Sequence, residues 1–476
     1  MRTTFSQRGT LAVVCLATAM LMLDIAVVNT ALPRIAHDLH SGLSGVQWVI
    51  DAYTLTLATV VLSAGSLSDR FGRRLIFAIG MGLFTAASLA CALAGSMALL
   101  DGARAIQGIG AAMLFASSLA ILADAFPGAA ERATAFAIYG ATIGASFALG
   151  PLIGGALTSG VSWQAIFFVN LPLGIFATAT TFIWVRESRD PAPRGLDWPG
   201  QATLAGGMFL LVLALLRGNQ LGWGSTQILT ELAGAAALLI AFILVERRVR
   251  EPMLPPRLFR LPAFTGAQLA VFAMSASFFA LFLYTTLYLQ NILHLSPLDA
   301  GLVYLPGTVL LFVVSGATAE LTKRISAGAL IVAGLILTAA GLALMTVAQA
   351  DSSWLALLPG VLVVCAGTGL FNPALATVAL GSLPDAQSGL AAGVNDMFRQ
   401  GAIAVGVAAY GVLVPAGAAL GHGSSASFVN GLHQALWIGA GVAAIGAMVA
   451  AKLIGTKARV PHTAPTPAPE AIGELA

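Results

Sequence analysis

The chain has 476 residues, of which 58% are hydrophobic and 9% charged, with a formal net charge of +3. A water-soluble domain carries about a quarter charged residues, so this composition excludes a chain that faces water all round. So small a net charge gives no sign of a nucleic-acid partner.

A helix that crosses a bilayer needs about 20 mostly apolar residues, and such runs recur from end to end. The first covers 10–32, carries Asp24 at its middle and continues into Pro33 without a small-residue cleavage signature. It therefore reads as a retained span and not as a signal peptide. Further runs follow at 46–66, 75–97, 99–123, 133–157, 164–185, 200–217, 229–246, 264–290, 299–320, 326–348, 354–377, 394–414 and 433–454. Together they predict an all-α polytopic membrane protein of about 14 spans. Strands do not fit, because lipid offers no partner to an open sheet edge and the runs are too long and unalternating for a barrel.

Positive charge tests the count. With the first end inside and alternation thereafter, 19 of the 23 Lys and Arg fall in inside segments. They include Arg2 and Arg8, Arg70, Arg73 and Arg74, Arg194, Lys323 and Arg324, and Lys457 and Arg459. That is the bias of cytoplasmic loops, and it puts both termini inside. Two longer inside loops, about 186–199 and 247–263, divide the chain. Residues 1–185 form one six-helix half, 186–263 two extra central helices, 264–455 a second half, and 456–476 a Pro- and Ala-rich tail with a disordered composition.

Other chemistries find little support. Cys15, Cys91 and Cys365 lie singly in apolar runs, against a disulfide framework or a metal site. His37, His40, His294, His422, His433 and His462 are scattered at or beyond span ends, which argues against a membrane-embedded enzyme. No G-x-x-x-x-G-K-S/T loop is present to hold a nucleotide.

A short pattern occurs twice. Gly65, Asp69 and Arg73 follow the second span at spacings of four and four, and Gly316, Glu320 and Arg324 follow the tenth at the same spacings. If spans 7 and 8 are an insertion, the two triplets occupy equivalent places in two parallel repeats, the plan of a large transporter class. The first lies in GSLSDRFGRR, residues 65–74, which resembles the major facilitator signature G-x-L-x-D-R-x-G-R-R/K. Asp69 can pair with nearby guanidinium groups such as Arg70 and Arg73, and Gly65 and Gly72 permit close helix approach. The plainer reading is a charged turn that only sets topology.

The rest of the chain narrows the resemblance to the 14-helix drug:proton antiporters. Leu23-Asp24 through Asn29 to Pro33 looks like their opening motif. Arg104, Gln107, Gly108 and Gly110 match R-x-x-Q-G-x-G. Gly150, Pro151, Gly154 and Gly155 form G-P-x-x-G-G, similar to the antiporter signature, and Trp163 to Gly174 matches W-R-x-x-F-x-x-N-x-P-x-G with Gln164 in place of Arg. The stretches 251–259 and 288–306 match as well. The resemblance implies a major facilitator fold of two six-helix halves plus two extra helices, in a bacterial cytoplasmic membrane. It implies export of amphiphilic or drug-like small molecules, cations among them, driven by protons without a cofactor. Export of one endogenous metabolite fits equally.

Charged groups within spans mark the expected site, because each costs about 2.5–3.5 kcal/mol to insert. Asp24 is the candidate proton or cation binder, with a static ion pair as the plainer reading. Asp51, near the start of its span, is either a residue of the substrate path or a solvated mouth residue. The resemblance ties Arg104 to proton coupling. Asp396 and Arg399 are three apart and can share a helix face. Gln107, Gln290 and Asn395 are polar pocket candidates.

Overall fold

The computed structural model describes residues 5–190, 195–322, 324–383, 387–421 and 423–455. The charge assignments to Arg2, Arg194, Lys323, Lys457 and Arg459, and the expected tail 456–476, lie outside the described residues.

Among the described residues, fourteen long helices account for most of the chain. They are α1 (Phe5–Asp38), α2 (Leu43–Phe71), α3 (Arg73–Ala92), α4 (Met97–Ala125), α5 (Ala129–Gly160), α6 (Ala165–Trp184) and α7 (Trp198–Leu221). Then come α8 (Thr226–Arg248), α9 (Pro262–Ile292), α10 (Pro297–Leu321), α11 (Ala327–Met345), α12 (Leu358–Gly381), α13 (Ser388–Gly411) and α14 (Ser425–Leu453). No strand occurs among the described residues. Thirteen of these helices are long and apolar enough to cross a bilayer. The exception is α13, whose Asn395, Asp396, Arg399 and Gln400 lower its hydropathy. It also begins at Ser388 and not at 394, the start expected from the apolar run.

Local signals set the helix ends. Ser96, Ser225, Ser296, Ser326 and Ser424 each accept a backbone N–H in the first turn that follows. Between α2 and α3, Gly72 takes φ of +122°, a conformation that L side chains rarely adopt. Within α9 the winding loosens to π geometry at Ser275–Phe279 and Tyr288–Ile292.

Small residues set the packing, as expected where lipid supplies no hydrophobic drive between helices. Glycine backbones touch where α3 crosses α4, and a Cβ on Gly110 would lie 2.9 Å from the Gly80 carbonyl. The counterpart crossing of α11 and α12 repeats the device, since a Cβ on Gly341 would lie 2.8 Å from the Gly360 carbonyl. The halves meet where α2 packs on α13 and α5 on α10. Helix α7 lies against both α2 and α13, covering that seam, and α8 packs on α7.

The two ends of the bundle differ. Call the end that carries residues 65–74 the loop end, and the other the far end. At the far end the halves are bonded. Gln290 Nε2 donates to the Thr30 carbonyl (2.8 Å), Gln47 Nε2 to Tyr284 Oη (2.8 Å), and the Leu298 N–H to Ser159 Oγ (3.1 Å). A Cβ on Gly155 of α5 would lie 2.9 Å from Leu298 Cα of α10. Toward the loop end the same pair separates, and Gly140, Gly144 and Gly316 meet nothing within 4 Å.

Candidate functional site

Asp24 is buried in the middle of α1, and two helices aim three donors at it. Arg104 of α4 gives an NH1 proton to Oδ2 (2.6 Å). Gln107, one turn on, gives Nε2 to Oδ1 (2.9 Å), and Asn170 of α6 gives Nδ2 to Oδ1 (3.0 Å). Ser88 Oγ of α3 accepts from Gln107 (2.9 Å) and from Asn170 (3.3 Å), closing the network. Arg104 is itself positioned by α2. Its Nε donates to the Val49 carbonyl (3.0 Å), and its guanidinium lies 4.3 Å from the centre of the Tyr53 ring. Glycines let these helices come together, since a Cβ on Gly108 would strike the Tyr53 carbonyl of α2. The R-x-x-Q-G-x-G pattern thus provides two network side chains and two helix crossings from less than two turns of helix.

A small cavity adjoins this network, lined by Arg104, Tyr53, Thr54 and Asn29 among others. Asp24 is not among its lining residues. A second small cavity shares Phe147 and Phe282 with the first. Its remaining lining comes mostly from the second half and is apolar, with hydroxyls at Thr285, Tyr304 and Thr308. The site is therefore a counter-charged acid behind an arginine, facing a cleft whose far wall is aromatic and aliphatic.

The other expected residues separate. Asp51 is fully buried, and among the described residues neither carboxyl oxygen has a hydrogen-bond partner. The solvated-mouth reading therefore falls. Asp51 lies eight residues into α2, and the packing of α13 on α2 covers it. One turn before it, Gln47 also donates to the Val407 carbonyl of α13 (3.1 Å). Asp396 and Arg399 pair at 4.0 Å, half-buried, and Arg399 NH1 also donates to Asn372 Oδ1 (3.3 Å). Asn395, a neighbour in sequence, leaves its Nδ2 without a partner. Gln290 belongs to the far-end closure and not to the cavities.

The signature loop is bound to itself and to the segment that follows α6. Asp69 pairs with Arg73 at 3.2 Å, and Arg70 stacks over the Phe71 ring at 5.7 Å. The segment after α6 then holds the turn. Arg73 N–H bonds the Ser188 carbonyl (2.9 Å), Asp190 N–H the Asp69 carbonyl (3.1 Å), and Glu187 Oε1 accepts the Arg74 N–H (3.0 Å). Gly72 earns its place by its positive φ. Gly65 does not serve close helix approach in this structure, because a Cβ there would meet its nearest neighbour only at 4.0 Å. Glu320 and Arg324, the second-half counterparts, flank the end of α10. In the G-P-x-x-G-G segment, Gly150 and Gly154 face α1, and a Cβ on Gly154 would lie 2.7 Å from the Val27 carbonyl. Gly155 faces α10, and the Pro151 backbone meets Gly301.

Ser88, Tyr53 and Glu187 were given no role from the sequence. Asn170 entered only as the Asn of the segment from Trp163 to Gly174, without a site role. Ser88 carried no signal, being one hydroxyl among many.

The sequence pattern of the Major Facilitator Superfamily matches residues 14–407, and the chain belongs to that family of transporters. Among its relatives, the multidrug resistance protein Stp of Mycobacterium tuberculosis is 36% identical over 86% of this chain and 76% of its own. The methylenomycin A resistance protein of Streptomyces coelicolor is 34% identical over 88% of each chain. Among solved structures, the peptide transporter POT in complex with sulfate matches 94% of this chain and 95% of its own, with a TM-score of 0.66 at 16% identity. That likeness concerns the fold alone. The chain is a multi-pass membrane protein whose relatives are drug and antibiotic resistance proteins.

Proposed function

We propose that the chain is a proton-coupled antiporter that exports amphiphilic, drug-like molecules across a bacterial cytoplasmic membrane, with the loop end and both termini in the cytoplasm. The observation that carries the reading is Asp24, buried behind Arg104 at the wall of a cleft between the halves. A carboxyl group in that place exchanges its arginine partner for a proton as the halves rock. Protonation frees Arg104, and deprotonation recovers the pair. Asp51, with no donor aimed at it, is the second candidate carrier. The mostly apolar second cavity supports amphiphilic cargo.

No cofactor is needed. One charge crossing 100 mV yields about 2.3 kcal/mol, and one pH unit adds about 1.36 kcal/mol per proton. The methylenomycin A relative favours a narrower reading as well, export of a single compound. The test is pH-gradient-driven transport of a dye panel in proteoliposomes. Wild type concentrates dyes and Asp24→Asn does not, while dye binding persists in both. Equal accumulation by both proteins would remove Asp24 from coupling. Competition among dissimilar dyes favours multidrug export over single-compound export.

A further inference from the structure

The α7–α8 hairpin contains two buried acids that the transport path does not use. Asp197 caps α7 and is 4% exposed. Glu246, near the end of α8, is 3% exposed. Each uses one oxygen on the backbone. Asp197 Oδ1 accepts the Gly200 N–H (2.8 Å), and Glu246 Oε2 accepts the Leu254 N–H (3.0 Å). Among the described residues, their other oxygens, Asp197 Oδ2 and Glu246 Oε1, have no hydrogen-bond partner. Those two atoms converge, since a Cβ on Gly200 would lie 2.6 Å from the first and 2.8 Å from the second.

Counter-charge does not explain the pair. Arg247, Arg248 and Arg250 flank it, and Arg257 and Arg260 follow on the connection, yet none forms an ion pair with either acid among the described residues. Glu251 is turned to the Gly195 N–H. On the neighbouring helices, Asp69 of α2 pairs with Arg73, and Asp396 of α13 pairs with Arg399. Two ionised carboxylates in one buried volume repel strongly, and a single proton held between them removes the repulsion and satisfies both free oxygens.

We propose that Asp197 and Glu246 share one proton, forming a proton-binding site outside the transport path that clamps the hairpin to the connection leading into α9. The clamp acts through Glu246 on Leu254. Leu254 and Leu258 of that connection pack in the same core as Leu62 of α2 and Val394 of α13, where the halves meet. The proton is present at low pH and the clamp holds. As pH rises the proton leaves, the acids repel, and the connection loosens. The site thus reports the pH on its own side of the membrane to the interface of the halves.

Hydrogen–deuterium exchange of residues 249–261 in the purified full chain, corrected for the intrinsic pH dependence of exchange, tests this. In wild type, protection of the Leu254 amide should fall about tenfold from acidic to alkaline pH. Glu246→Gln replaces the shared proton by an amide N–H, accepts the Leu254 N–H and donates to Asp197, so its protection should not vary with pH. Asp197→Asn makes the same replacement from the other side and serves if the first variant does not fold. Wild-type protection that ignores pH, or variants as pH-sensitive as wild type, would overturn the proposal.

Discussion

In the first half, the central acid is met by three fixed donors, and every one is positioned by a second bond or an aromatic face. In the second half, the lining is Phe, Leu, Met and Cys side chains with three hydroxyls among them. A group that must alternate between two definite states needs partners of fixed geometry. A surface that must accept different shapes needs soft, repackable side chains. The same helix plan thus carries a rigid polar centre on one side of the cleft and an adaptable apolar wall on the other.

The strongest way to break that contrast is to remove the polar side's counter-charge. Arg104→Met leaves Asp24 buried without it, and breaking a buried pair costs about 3–5 kcal/mol. Gradient-driven transport should fall at least about 100-fold, with a lower thermal midpoint. Transport that survives would mean the network is only structural. Next in size is the contact of α1 with α5 inside the first half. Gly154→Leu drives a side chain into the Val27 carbonyl, and efflux should fall about tenfold or more while expression drops only modestly. Normal efflux would show that α1 and α5 need not stay close.

The apolar wall is probed by filling it. Thr308→Trp should raise the KM for bulky dyes about tenfold, equivalent to about 1.4 kcal/mol, and leave proton uptake unchanged. A loss of proton uptake would show that the two sides are not separable. Gln290→Leu removes one bond between the halves, worth about 1 kcal/mol. It should raise far-end labelling of a Leu157→Cys reporter about fivefold, and no change would make that bond dispensable. The smallest effect is expected from Gly65→Ala, within about twofold of wild type, because the added methyl meets nothing closer than 4.0 Å. A large loss there would place a close helix approach in the other state of the cycle.

Much of this was legible in the sequence. The spans follow from apolar runs, and Asp24, Arg104 and Gln107 stood out because charge and amide are costly in lipid. What their spacing could not give is that they touch, since residues 80 apart meet only through helix crossings set by glycines. Asp51 misled for a related reason. Distance from the start of a run measures depth in the bilayer, but burial depends on what packs alongside. Gly65 looked like a packing glycine by its motif, yet a residue type does not reveal which neighbour is present in a given state. Glu187 was invisible because its value lies in a turn 113 residues away.

The position of α7 has a mechanical consequence. A seam already covered by a third helix must shed protein contacts along its length to open, whereas one covered by lipid sheds only lipid. The α2–α13 side therefore acts as the spine of a book and the α5–α10 side as its fore-edge. If the halves rock as proposed, they would open unevenly, with the wider gap beside Phe147 and Tyr304, on the side away from the inserted hairpin.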